Sequence, residues 1–455
     1  MNDSSHTGRA GRYTLIGVAA VLAVILIGFL WIVALAPRTM DFAGGSRVTL
    51  SEYHGLDPTG VPEELKNASL VERGEYLARA ADCAACHTAE GGAPYAGGRA
   101  FVLPFGTLYS TNITPDKDTG IGNYNDKNFL DALHKGIGRG NTKLYPAMPF
   151  ASYTYMTDAD AGAIKAYLFS LKPVHAPTPE NTLSFPFDQR QLMGAWALLF
   201  NPDKRFEPRS GRDPQWNRGA YLVEAMAHCG ECHTPRNLLQ ALDQREKFAG
   251  AVQAGWHAYN ITSDPKSGVG AWSEAELAQY LAAGHADGRG TATGPMGEAV
   301  DNSLHYLTQG DITAIVSYLR SVTGIAATDL PAPKATPAPA SHAQGVADNL
   351  EPRGKAVYAG ACAGCHDWTG VSPVLPDATL TGVRSVNDPA ATNIVQIVLS
   401  GAHRHAADAG TTMPAFGSAY SDEEIASLAN YVTARFGARP SAVTAQNIAT
   451  LRAQN

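Results

Sequence analysis

Three stretches hold the residue types best suited to redox chemistry: Cys83-Ala84-Ala85-Cys86-His87, Cys229-Gly230-Glu231-Cys232-His233 and Cys362-Ala363-Gly364-Cys365-His366. On a helical turn, residues i and i+3 share a face and i+4 lies beside them. Two thiols at that spacing can bond to one edge of a macrocycle while the next imidazole reaches its iron, which is the pattern of c-type haem attachment. The competing readings of a Cys-x-x-Cys pair are a redox disulfide and half a zinc site. A redox pair needs no following His, and zinc needs two more ligands at short spacing. The chain's six cysteines are all used by the three motifs. The spacing therefore predicts three covalent haem c groups on Cys83, Cys86, Cys229, Cys232, Cys362 and Cys365, with His87, His233 and His366 on the irons.

A haem that only carries electrons is closed on both faces, commonly by His and Met. Met148 lies 61 residues after His87, Met296 lies 63 after His233, and Met413 lies 47 after His366. Each sits beside a proline, which stiffens a loop that must present sulfur to iron. Met148, Met296 and Met413 are the expected sixth ligands, with His403 and His405 as competitors in the third unit. Other methionines (Met156, Met193, Met226) read as core filler. His134 and His285 match in the repeat but precede the Met loops, so they are expected to pack or hydrogen-bond nearby. Arg139 and Arg289 read equally well as haem-propionate partners and as solvated surface residues.

The elements that must position these ligands repeat. Arg73-Gly74, Arg218-Gly219 and Arg353-Gly354 each start a helix about ten residues before the first cysteine, and the Gly is expected at a close helix crossing. Asn112-Ile113-Thr114 and Asn260-Ile261-Thr262 follow the first two motifs, then Gly-Arg-Gly at 138–140 and 288–290. The third unit lacks the Asn-Ile-Thr loop. All three units close on a capped helix: Thr157 with Asp160, Thr308 with Asp311, Ser421 with Glu424. Their Tyr167, Tyr318 and Tyr431 are expected in the core. The fold class read from this is all-α, three tandem cytochrome c-type haem domains with an N-terminal transmembrane helix. The boundaries are 1–40 anchor or signal peptide, 66–175 first domain, 176–213 linker, 214–325 second domain, 326–350 Pro/Ala linker, 351–438 third domain and 439–455 tail. The apolar run Leu192–Phe200 in the first linker is expected either to pack on its own protein or to lie under a membrane surface or partner.

Composition bounds the rest. A chain of 455 residues is too long for one core, and its net charge of −7 offers no basic surface for nucleic acid. Leu15 to Ala36 is an uncharged apolar run of 22 residues after Arg9 and Arg12, long enough to span a bilayer with an inside N-terminus. Ala34-Leu35-Ala36 also resembles a signal-peptide cleavage site. The run's length favours a retained single-pass anchor in the inner membrane, with the haem domains in the periplasm.

The chain resembles the triheme cytochrome c subunits of membrane-bound periplasmic dehydrogenases of acetic acid bacteria. Besides the three motifs, the likeness rests on Tyr109-Ser110-Thr111-Asn112-Ile113-Thr114-Pro115, on Leu144-Tyr145-Pro146-Ala147-Met148-Pro149 and on Cys232-His233-Thr234-Pro235-Arg236. It implies a non-catalytic electron-transfer subunit. Electrons would come from a catalytic subunit bearing pyrroloquinoline quinone, flavin or molybdopterin, alongside a further small subunit, and pass to ubiquinone in the inner membrane. An alcohol- or aldehyde-oxidising partner is the first expectation, a gluconate or polyol dehydrogenase the second. A haem enzyme such as a peroxidase needs an open iron position, which a Met candidate in every unit argues against. A terminal-oxidase cytochrome subunit is disfavoured by three motifs rather than one or two.

Overall fold

Each unit is framed by two helices that cross at a glycine. In the first unit Leu70–Ala80 crosses Asp158–Ser170, in the second Pro214–Tyr221 crosses Gln309–Ser321, and in the third Pro352–Val357 crosses Asp422–Phe436. In this computed structural model, which describes residues 6–31, 37–339, 351–404 and 412–454, a Cβ added at Gly74 would fall 1.9 Å from the Ala163 carbonyl oxygen. At Gly219 it would fall 1.9 Å from that of Ala314, and at Gly354 2.1 Å from that of Ser427. No larger residue permits this backbone approach. In the second and third units the leading helix relaxes into a π-turn, Leu222–Met226 and Tyr358–Cys362, just before or at the first cysteine.

The terminal helices start where their capping residues predict. Thr157, Thr308 and Ser421 accept the backbone N–H of the residue three further on. In the third unit Glu424 closes the capping box. In the first two, the side chains of Asp160 and Asp311 instead reach the neighbouring unit, accepting the phenols of Tyr221 and Tyr76. Tyr318 and Tyr431 are fully buried and Tyr167 is buried.

The first two units share one continuous core, running from Tyr76 and Leu77 through Tyr221 and Met226 to Tyr318. The third has its own, centred on Tyr358, Val395, Tyr431 and Phe436. Polar contacts join it to the second: Arg404 ion-pairs with Asp301 at 2.7 Å, and Asp388 takes His257 at 2.9 Å and Tyr259 at 3.2 Å. The Pro/Ala stretch before residue 340 lies along the third unit, with Ala338 buried in its core and Lys334 bonded to Asn387.

Two expectations need correction. The chain is not all-α, because among the described residues five two-stranded antiparallel pairs stand between the helices. They pair Ala100–Leu103 with Gly106–Tyr109, Ile137–Gly138 with Thr142–Lys143, Ala251–Gln253 with Trp256–Ala258, His285–Ala286 with Gly290–Thr291, and Ala402–His403 with Thr412–Met413. Strands of two to four residues are too short for alternating hydrophobicity to register. The Gly-Arg-Gly repeats are two of these turns; Gly140 sits at φ 74°, a left-handed conformation.

The N-terminal transmembrane helix is the second correction. A helix runs His6–Leu30, but among the described residues no helix is long and apolar enough to cross a membrane. Its apolar part from Leu15 to Leu30 rises about 24 Å at 1.5 Å per residue, short of the ~30 Å hydrocarbon core. Residues 32–36, which complete the predicted run, lie outside the described residues. The single-pass anchor, and the inner-membrane location read from it, fall together.

Candidate haem sites

Each motif forms a short helical turn, Cys83–His87, Gly230–His233 and Ala363–His366. None of the six cysteines is paired in a disulfide. Burial pushes those of Cys83, Cys86 and Cys229 up to about 12. Cys232 lies near enough to Cys86 to raise it further, so the first two motifs are neighbours in space.

The three motif histidines share one geometry. His87 Nδ1 lies 2.6 Å from the Thr111 carbonyl oxygen, His233 Nδ1 2.6 Å from that of Tyr259, and His366 Nδ1 2.6 Å from that of Ala378. A carbonyl can only accept, so each Nδ1 carries the hydrogen and Nε2 is left as the metal-binding nitrogen. Burial lowers all three imidazoles below the usual histidine range, against the raising effect of the carbonyl, which keeps them in the neutral form a metal takes. Paired thiols and an oriented imidazole fit covalent haem. Among the described residues no group of three His, Cys, Asp or Glu could hold a metal ion, which leaves the zinc reading without a ligand set.

The carbonyls explain the Asn-Ile-Thr loops, to which sequence reasoning attached no role. Asn112, 1% exposed, accepts from the Thr114 backbone N–H at 2.9 Å and donates to the Val174 carbonyl at 2.7 Å. Asn260 does the same with Thr262 at 2.8 Å and Ile325 at 2.6 Å. Each Asn thus pins the residue before it, whose carbonyl orients the histidine. The repetition of the motif was the available signal. In the third unit the turn Pro376–Ala378 supplies the carbonyl instead.

Met148, Met296 and Met413 are half-buried and packed against the cores that the motif cysteines touch. Met148 follows a turn closed on Tyr145, Met296 lies in the first turn of Gly294–Asn302, and Met413 pairs with Ala402 in a hairpin. His403 stands exposed on the opposite strand, and His405 lies outside the described residues. His134 is buried beside Asp158, while His285 contacts Asp377 at 3.0 Å and Thr291 at 2.9 Å. Arg289 is held by Glu276 at 3.1 Å, and Arg139 is exposed.

Contacts between the first two units run from motif to Met loop in both directions. Arg99 donates to the Ala85 carbonyl inside the first motif at 2.6 Å and ion-pairs at 2.7 Å with Glu298, two residues beyond Met296. Ser152, just after the Met148 loop, donates at 2.7 Å to Glu231 inside the second motif. The helix carrying Met296 packs on the Cys83–His87 turn. The first two motifs thus each touch the other unit's Met-loop region across this junction.

A cytochrome c family model matches residues 71–172, and the model for the cbb3-type cytochrome c oxidase subunit III matches residues 349–432. The fructose dehydrogenase cytochrome subunit of Gluconobacter japonicus is 41% identical over 84% of this chain and 82% of its own. The gluconate 2-dehydrogenase cytochrome c subunit of Pantoea cypripedii is 38% identical over 87% and 92%. The cytochrome c subunit of alcohol dehydrogenase (quinone) from Gluconacetobacter polyoxogenes is 35% identical over 85% and 85%. The chain belongs to the family of cytochrome c electron-transfer subunits of dehydrogenase complexes.

Proposed function

We propose that the chain carries three covalent haems c, ligated by His87 and Met148, His233 and Met296, and His366 and Met413. In this reading it relays electrons from a catalytic dehydrogenase subunit, of pyrroloquinoline quinone, flavin or molybdopterin type, to ubiquinone. The single observation behind it is the histidine geometry: three imidazoles, each held through Nδ1 by a backbone carbonyl, each one residue past a second cysteine. A bound haem supplies reversible one-electron chemistry; the polypeptide supplies position and potential. Cys83, Cys86, Cys229, Cys232, Cys362 and Cys365 fix the macrocycles, and the thioethers of the three methionines raise the potentials relative to a second imidazole. Arg99 and Glu231 keep the first two sites facing each other.

The relatives' names point to a partner that oxidises a hydroxyl group of an alcohol, a sugar or a sugar acid, and the quinone in one of them supports the acceptor. The test is reconstitution with that partner. Haem analysis of the purified chain should give three per polypeptide, and substrate should reduce all three only when the dehydrogenase is present. A count of two, or reduction by substrate without a partner, overturns this reading.

A further inference from the structure

The carbonyls that orient the second and third histidines are both held from across the seam between those units. His233 leans on the Tyr259 carbonyl and His366 on that of Ala378, each at 2.6 Å. Tyr259 belongs to the second unit, yet its phenol donates at 3.2 Å to Asp388 of the third. The strand leading to it is gripped by the same unit. His257 Nδ1 meets Asp388 at 2.9 Å. Asn393 closes on the His257 backbone with both amide atoms, accepting from its N–H at 2.8 Å and donating to its carbonyl at 2.9 Å.

The reverse arrangement holds Ala378. The third unit has no Asn-Ile-Thr loop, and its Pro376–Ala378 turn packs on the second unit's Gly290–Thr291 strand. His285 Nδ1 lies 3.0 Å from Asp377 Oδ1, and Thr291 donates to the Asp377 carbonyl at 3.4 Å. His285 Nδ1 is also 2.9 Å from Thr291 Oγ1, so histidine, hairpin and turn form one closed set. Asp377 immediately precedes Ala378. The seam has no slack here: a Cβ added at Gly382 of the third unit would fall 2.3 Å from the Gly288 carbonyl oxygen of the hairpin.

We infer that Asp388 and His285 are positioning residues that act across the seam. Asp388 tunes the second haem through Tyr259 and His233, and His285 tunes the third through Asp377, Ala378 and His366. The inference rests on the reading above that both motif histidines ligate haem iron. A carbonyl that accepts firmly from Nδ1–H makes the imidazole a stronger donor to the metal and favours Fe(III). Loosening that carbonyl raises the potential. The driving force for an electron step between these two haems then belongs to the docked pair rather than to either unit.

The test is a redox titration of the full-length haem-loaded protein followed by visible spectra. Asn112→Ala and Asn260→Ala mark the first and second haems. Asp388→Ala should raise the potential that Asn260→Ala moves, and His285→Ala the one that neither marker moves. Each should change that haem's Fe(II)/Fe(III) ratio at a fixed ambient potential about threefold, less than the ~10-fold or more of a direct outer-shell partner. Asp388 is buried, so Tyr259→Phe, which removes one hydroxyl, serves as the second variant and should move the same potential in the same direction. His285→Asn keeps a donor nitrogen near the place of Nδ1 and should restore the wild-type potential. Unchanged potentials in Tyr259→Phe and His285→Ala overturn the inference, as does a shift of the third potential by Asp388→Ala or of the second by His285→Ala. Fewer than three haems per wild-type chain overturns the ligation reading, and the inference with it.

Discussion

Tyr76 donates its phenol hydrogen to Asp311 Oδ2 at 2.6 Å across the junction of the first two units. Tyr221 returns the arrangement to Asp160. Each tyrosine also accepts the backbone N–H of its partner's capping threonine, Thr308 and Thr157, at 3.2 Å. The two carboxylates differ in their other partners. Asp311 also holds Arg218 through 2.8 and 2.7 Å bonds, whereas Asp160 has the Gly60 backbone N–H at 2.9 Å. Removing a phenol from a buried carboxylate costs more when less remains. Tyr221→Phe should therefore lower stability by about 2–3 kcal/mol and Tyr76→Phe by about 1–2 kcal/mol. Denaturant midpoints of the two variants compare them directly, and the reverse ranking would contradict the argument.

Replacing a sixth ligand should leave attachment intact. Met148→Ala and Met296→Ala are each expected to keep three covalent haems while one becomes high-spin or His-ligated at a lower potential. Redox titration with visible spectra reads this, and three unchanged potentials in either variant would remove that methionine from the ligand set.

Asn112→Ala should act one step further from the iron. It frees the Thr111 carbonyl that orients His87, so one potential of three should move while Met ligation persists. Asn260→Ala should move a different one. If both variants altered the same centre, the pairing of loop with motif would be wrong.

The helix crossings tolerate no added atom. Gly219→Ala places a methyl 1.9 Å from the Ala314 carbonyl oxygen, and separating the helices should cost about 3 kcal/mol. Because the core is shared, the loss should appear as reduced holoprotein yield for the first two haems together, measured by haem stain on limited-proteolysis fragments.

Acid should weaken the first unit through His134. Burial lowers this imidazole to about 4, with Arg205 adding to the effect. The unfolded chain, with an ordinary histidine, takes up a proton first as pH falls below about 6.5. Stability is therefore full above that value and declines down to about pH 4, by up to roughly 3 kcal/mol. His134→Leu removes this component, so its stability relative to wild type should improve between pH 7 and pH 4. A gap constant over that range would show that His134 does not titrate on unfolding.

What was legible in the sequence was local. Cys-x-x-Cys-His fits one helical turn, Ser421 with Glu424 caps one helix end, and Gly74 marks a crossing because a small residue recurs in each unit. What was hidden depends on residues far apart in the chain. Nothing near Asp160 distinguishes a carboxylate that closes its own cap from one that reaches Tyr221. The hairpins were missed because Ile137–Gly138 and its like are too brief to show a period. The apolar run after Leu15 was over-read as a span: among the described residues no helix, His6–Leu30 included, is long and apolar enough to cross a membrane.

The undivided core beneath the first two motifs also says how this chain can be taken apart and recombined. Cutting between residues 172 and 213 would strip Tyr76, Trp216 and Tyr221 of what covers them, so the smallest self-supporting piece is a pair. The third unit, with a private interior and a polar seam at Asp388 and Arg404, can be added, lost or exchanged as a cassette without reopening the pair.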